Sequence, residues 1–128
     1  ARESFKEMIL QPQSDIPHFR RFIREIGWQI VEEELIREDG KFYPMMKAVR
    51  NNSGKKTVYT EEEAWFGPLL LEKRHPVLKE YLLREEMIRK KILAGLSGAE
   101  SVSAKTRLAE VKEEMELIHT ALKRYESI

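Results

Sequence analysis

Glu34-Leu35-Ile36-Arg37-Glu38-Asp39-Gly40-Lys41-Phe42-Tyr43 is the stretch that decides the fold of this 128-residue chain. Asp-Gly between two strand-like runs predicts a tight β-hairpin, because a type I′ turn needs positive φ at both central residues. Upstream of it, Trp28-Gln29-Ile30-Val31 reads as a strand-like piece ahead of an acidic stretch, and downstream Met45 to Val49 continues the second strand. Pro44 has no N–H to give a ladder, which predicts an edge or an irregular point there. Glu32, Glu33 and Glu34 alternate across a strand and cannot share one face, so they read as solvated. Asn51 to Lys56 is a polar loop.

Ahead of the hairpin, Phe5 to Gln11 is a short apolar-rich run stopped by Pro12, read as a buried strand. Ser14 or Asp15 can cap a following helix with Pro17 in its first turn. Ile16, Phe19, Ile23 and Ile26 form its apolar stripe, with Arg20, Arg21 and Arg24 off it, and Gly27 supplies the stop.

From Glu61 onward the pattern is helical. Pro76 sits well in the first turn of a long helix to about Ala94, and Gly95-Leu96-Ser97-Gly98 makes a turn. Ser97 with Glu100 could form a capping box. Ala104, Leu108, Val111, Met115, Ile118, Leu122 and Tyr125 then alternate at spacings of four and three, an a/d seam. Leu78, Tyr81, Ile88 and Ile92 offer the same register in the preceding helix, with Glu85 interrupting. An antiparallel helical hairpin follows. The expected division is residues 1–58 as sheet and helix, and 59–128 as helical.

Composition mostly excludes. At 128 residues, 35% charged and 41% hydrophobic, the chain buries one modest core, or a core with a helical appendage, and not two full catalytic domains. Twenty-three bases against 22 acids leave the net charge near zero. The absence of Cys rules out disulfides, thiol nucleophiles and thiolate zinc sites. No apolar run is long enough for a bilayer, so the expected partners include no membrane and the expected location is cytoplasmic. No two of the six glycines, Gly27, Gly40, Gly54, Gly67, Gly95 and Gly98, are separated by a single residue, which removes a G-x-G nucleotide loop.

His18, His75 and His119 are scattered and read as surface or structural, with no metal-ligand spacing. One local excess stands out: Lys73, Arg74, Lys79, Arg84, Arg89, Lys90 and Lys91 are seven bases against Glu80, Glu85 and Glu86, a net +4 over a short span. On a helical wheel Lys79 and Lys90 fall on one flank and Arg84 and Lys91 on another. Such bases can contact phosphates, and can equally be the solubilising border of a helical seam.

Taken in order, Ile9-Leu10-Gln11-Pro12, Arg20-Arg21, Gly27-Trp28-Gln29-Ile30, Glu34 to Tyr43 and Phe66-Gly67-Pro68-Leu69-Leu70 resemble one family. It is the C-terminal half of bacterial S-adenosylmethionine-dependent tRNA (adenine-N1)-methyltransferases acting on the D-arm, the TrmK-like family. The resemblance runs over about residues 5–90 and holds the order of the short motifs; the last helix matches in type only.

The resemblance implies an α/β fold: the last strand, helix and β-hairpin of a Rossmann-like methyltransferase sheet, followed by an antiparallel helical hairpin or coiled coil that helps grip tRNA. The implied reaction is direct displacement, with adenine N1 attacking the sulfonium methyl while the enzyme orients both reactants. The family's cofactor-binding half is not in this chain. The resemblance therefore implies a fragment, inactive alone, with S-adenosylmethionine bound by the intact parent and none by this chain. Its implied partners are tRNA and the missing N-terminal half of the methyltransferase domain. An exposed edge and apolar face would favour a homodimer or strand exchange. Ligands of open α/β sheets bind beyond the carboxyl ends of strands, so Gln11 and Pro12 are the candidates to line the substrate cleft, or else form a strand-terminating turn. Lys73, Arg74, Lys79, Arg84, Arg89, Lys90 and Lys91 are the candidate tRNA contacts. The competing reading is a non-catalytic helical-hairpin module for interaction or dimerisation.

Overall fold

The computed structural model describes residues 7–51 and 58–126. The elements run β1 (Glu7–Leu10), α1 (Ile16–Glu25), β2 (Trp28–Glu38), β3 (Lys41–Arg50), α2 (Glu61–Phe66), α3 (Pro68–Glu72), α4 (Pro76–Leu96) and α5 (Val102–Lys123). The fold class is the expected one, a small antiparallel sheet with a flanking helix followed by helices. The chain forms two compact units, Ala1–Leu78 and Lys79–Ile128. Where the sequence suggested a division after residue 58, α2 packs on α1 and α3 on β2, within the first unit.

The hairpin forms where Asp39-Gly40 demands it: Asp39 has φ 51°, Gly40 φ 74°, and Glu38 pairs with Lys41. β3 is the central strand, with β2 on one side and β1 on the other, both antiparallel. Pro44 is tolerated there because β1 reaches only from Val49 to Met46, leaving β3 open beyond that point.

β2 is one continuous strand rather than separate pieces, and it carries a bulge. Ile30 pairs with Ala48 and Glu32 with Lys47, so Val31 is the extra residue. A bulge resets which side chains face inward. Before it Ile30 is buried; after it Glu33 and Leu35 are buried while Glu32 and Glu34 face water. The expectation that all three glutamates are solvated is thus corrected at Glu33.

The inner face is the core. Ile23, Ile30, Met46 and Ala48 are buried together, with Leu10, Ile16, Phe19, Trp28, Tyr59 and Leu69 packed around them. The helix stripe therefore works as read at Ile16, Phe19 and Ile23, whereas Ile26 is 47% exposed. Asp15 occupies the cap position of α1 with φ 45° and makes no side-chain cap bond, so the expected cap is absent. The first run is also corrected: Phe5 lies outside the described residues, and β1 is not a buried strand, because Met8 and Leu10 turn inward while Ile9 is 72% exposed on the outer face.

In the second unit, Glu86 lies by His119 and Arg89 by Glu114, an antiparallel pairing of α4 and α5. Val111, Met115 and Ile118 of the predicted seam are buried. On α4 the register differs from expectation: Leu82 is buried and Ile88 is 41% exposed. The interrupting Glu85 sits in the interface as an ionic layer, accepting from Arg89, which also donates to Glu114. The helix cap is Ser101, accepting from Ala104 N–H at 3.1 Å, in place of Ser97.

Candidate functional site

The first feature is a buried joint between α1, β2 and the α2–α3 elbow. The bulge turns Glu33 inward, and Arg20, placed one residue after Phe19 on α1, meets it: Arg20 Nε donates to Glu33 Oε2 at 3.0 Å. Arg20 Nη1 also donates to the carbonyl of Ala64 at 2.7 Å, and Glu33 Oε1 accepts from Leu69 N–H at 2.8 Å. Each charge is thereby paired and bonded to backbone, the condition under which buried ions are tolerable. Thr60 starts α2 with a capping box, accepting from Glu63 N–H while the Glu63 carboxylate accepts from Thr60 N–H. Gly67 joins α2 to α3 at φ 96°, and a Cβ there would lie 2.8 Å from Glu33 Oε2 and 2.9 Å from Arg20 Nη2.

Beside the joint, Glu34 on the exposed side of β2 accepts from Lys73 Nζ at 3.3 Å and lies 2.7 Å from His75 Nε2. Val77 N–H donates to His75 Nδ1 at 3.1 Å, so Nδ1 is the acceptor and Nε2 the donor toward Glu34. The hydrogen bond from His75, followed by the bond and charge of Lys73, holds the Glu34 carboxyl below its ordinary value. A shallow cleft of about 540 Å³ opens here, lined by Val31, Glu32, Glu33, Glu34, Leu69, Glu72 and Lys73. Its acidic wall disfavours an anionic ligand.

The second feature is the cationic exposed side of α4. Lys79, Lys90 and Lys91 are exposed, and Arg84 lies over the Tyr81 ring at 5.5 Å. Arg89 is different: its side chain is only 14% exposed and bridges Glu85 and Glu114. Lys73 and Arg74 follow α3 in the first unit, Lys73 bonded to Glu34 and to the Glu33 carbonyl, Arg74 at φ 47°. Gln11 is exposed and Pro12 half-buried just past β1, and neither lines the cleft beside Glu33. Sequence reasoning missed the Arg20–Glu33 joint altogether. The available signal was an arginine beside a helix stripe together with a glutamate whose facing depends on a bulge.

A family model described as tRNA (adenine(22)-N(1))-methyltransferase, TrmK, matches residues 2–120. The chain belongs to the TrmK family. It is 38% identical over 66 residues to a Mycoplasma pneumoniae protein assigned as a tRNA methyltransferase, an overlap of 52% of this chain and 30% of that protein. Among solved structures it is similar to an uncharacterised Listeria monocytogenes protein (TM-score 0.84, 26% identical, 91% of this chain and 51% of that one). It is similar in fold to B. subtilis TrmK, an m1A22 tRNA methyltransferase (TM-score 0.76, 23% identical, 91% and 51%). A Streptococcus pneumoniae structure with S-adenosyl-L-methionine bound has the same fold over this region (TM-score 0.74, 21% identical, 91% and 47%). TrmK homologues thus bind S-adenosylmethionine, and the chain spans about half the length of the structures it matches.

Among the described residues, the close approach at Gly67 and the cleft beside it do not fit that cofactor. Where a glycine allows close approach, at Gly67, the space is filled by the chain's own Arg20 and Glu33. The neighbouring cleft is walled by carboxylates and an exposed lysine rather than by a glycine-bearing loop.

Proposed function

We propose that this chain acts as the C-terminal portion of a TrmK-type tRNA adenine-N1-methyltransferase, supplying the edge of the catalytic sheet and a helical arm that holds tRNA. Its expected setting is the cytoplasm, where tRNA is the substrate. Cofactor binding and methyl transfer belong to the portion that completes the sheet. The observation that carries this reading is the apolar character of the outer face: Ile9, Val31 and Ile36 are all exposed, where a solvated face of an antiparallel sheet is ordinarily polar. A complementary half would cover that face, and in isolation it favours self-association into a homodimer.

In this reading Gln11 and Pro12, just beyond the end of β1, border the substrate cleft. Lys73, Arg74, Lys79, Arg84, Lys90 and Lys91 contact tRNA phosphates, while Arg89 braces the hairpin. Unlike a free-standing interaction module, the chain then has salt-dependent affinity for tRNA.

The test is methyl transfer from labelled S-adenosylmethionine to tRNA, by this chain alone and after co-expression with the upstream half of a TrmK relative. Transfer is expected only from the pair. Transfer by the chain alone overturns the division of labour, and the absence of any salt-dependent tRNA binding overturns the assignment of the arm.

A further inference from the structure

The exposed side of α4 is not only basic. Leu83 is 46% exposed and Met87, one turn on, 58% exposed. At 100° per residue these two form a ridge, with Lys79 and Lys90 along one flank beside Glu86, and Arg84 and Lys91 along the other beside Glu80, a net positive face. Both lysines of the first flank are exposed, Lys90 at 66% even with Glu86 at 3.9 Å. The second flank carries the Arg84 guanidinium over Tyr81, a stacked platform.

A single apolar residue on a helix surface is ordinary, but an apolar ridge between two cation rows selects its occupant. A second copy of α4 would set one net positive face, four cations to Glu80 and Glu86, against another, so self-pairing through this face is disfavoured. A paired RNA duplex offers phosphate rails and a hydroxyl-lined shallow groove, which satisfy the lysines and leave Leu83 and Met87 against polar surface. Unpaired nucleotides present phosphates and bare base faces together, and so match both components.

We propose that the Leu83–Met87 ridge of α4 recognises unpaired nucleotides of RNA, with their phosphates held by Lys79 and Lys90 and a base face laid on the ridge. The inference deepens the RNA-holding role of the arm and rests on it. It makes the arm a reader of a loop rather than a generic clamp on a stem.

The experiment is fluorescence anisotropy of the full chain with three probes: a tRNA transcript, an RNA stem-loop and a blunt, fully paired RNA duplex of the same length, each over a salt series. Leu83→Ser/Met87→Ser alters exposed positions only, and circular dichroism checks that helix content is kept. Affinity for tRNA and stem-loop is expected to fall about tenfold, the size of losing one apolar side-chain contact, with the duplex and the salt slope unmoved. Lys79→Ala/Lys90→Ala is expected to lower affinity for all three probes and to reduce the salt slope by about 2. Equal losses on duplex and stem-loop from the serine variant, or no loss on either, overturn the ridge while leaving the arm's phosphate contacts standing. A wild-type chain that binds none of the probes overturns both. Sedimentation in which the serine variant dissolves a wild-type dimer, or co-sedimentation with anionic phosphatidylglycerol vesicles without RNA binding, identifies a different occupant and overturns the proposal.

Discussion

Arg20 Nε donates to Glu33 Oε2 at 3.0 Å between α1 and β2, with 2% and 1% of the two side chains exposed. Each is also bonded to the elbow that follows, Arg20 to the Ala64 carbonyl and Glu33 to Leu69 N–H, so one pair ties three segments of chain together. Removing either partner strands the other charge in the interior. Glu33→Ala or Arg20→Ala is expected to cost about 3–5 kcal/mol in urea unfolding. Arg20→Met/Glu33→Leu removes both charges, and its loss is expected to be well short of the sum of the single losses. An additive double variant would mean that the two groups act independently.

Gly67 lies directly over that pair. Its φ of 96° is unfavourable for an L side chain, and an added Cβ would come within 2.8 Å of Glu33 Oε2 and 2.9 Å of Arg20 Nη2. Gly67→Ala therefore combines backbone strain with pressure on a buried ion pair, and a loss of about 2–4 kcal/mol is expected. Gly40→Ala is the control: that φ is also positive, at 74°, but no atom lies within 4 Å, so the expected cost is the strain alone, about 1 kcal/mol. Thermal unfolding of both variants measures the difference, and equal shifts would show that the crowding at Gly67 is relieved elsewhere.

The contrast between these two glycines marks what was legible in the sequence. Asp39-Gly40 is a local signal, and the hairpin formed with both turn residues at positive φ. The 4-3 spacing of Val111, Met115 and Ile118 is likewise local, and all three are buried. Glu33 is not local. Strict alternation puts it opposite Ile30, and only the extra residue Val31 brings it to the inner face. A bulge is decided by how β2 fits β3, which no window on β2 alone contains. Arg20 is not local either: it lies off the helix stripe, and its burial depends on a carboxylate from β2 coming to meet it. On α4, Arg84 and Arg89 read alike in sequence, yet Arg89 is drawn inward by Glu114, 25 residues away.

Glu34 gives the first unit an acid-sensitive contact. The hydrogen bond from His75 and the bond and charge of Lys73 hold its carboxyl below its ordinary value of 4.5. A carboxylate with a depressed value in the folded state stabilises the fold above its unfolded value, and that contribution disappears as pH falls through the folded value. Wild-type chain is therefore expected to be more stable than Glu34→Gln near neutrality, with the gap closing as pH falls below about 4.5. Urea unfolding of both chains at a series of pH values from 7 to 3 checks this. A gap that stays constant would show that Glu34 contributes as a neutral acceptor rather than as a charge.

Arg89 and Lys90 are neighbours in sequence with opposite expected phenotypes. The Arg89 side chain is 14% exposed and spans Glu85 on its own helix and Glu114 on α5, while that of Lys90 is 66% exposed with Glu86 3.9 Å away. Arg89→Ala removes the shared cation of two largely buried carboxylates, leaving Glu85 to Arg84 at 3.4 Å and Glu114 to Arg107 at 3.7 Å. It is expected to cost about 1–3 kcal/mol of stability and to leave the salt slope of RNA binding unchanged at temperatures where the hairpin stays folded. Lys90→Ala removes an exposed i,i+4 pair whose contribution is about 0.5 kcal/mol or less, and is expected to lower the salt slope by about 1. Thermal unfolding and anisotropy on the two variants separate a brace from a phosphate contact. If Arg89→Ala lowers the slope as much as Lys90→Ala does, Arg89 leaves Glu114 to meet RNA, and the ionic layer between α4 and α5 is a switchable contact rather than a fixed one.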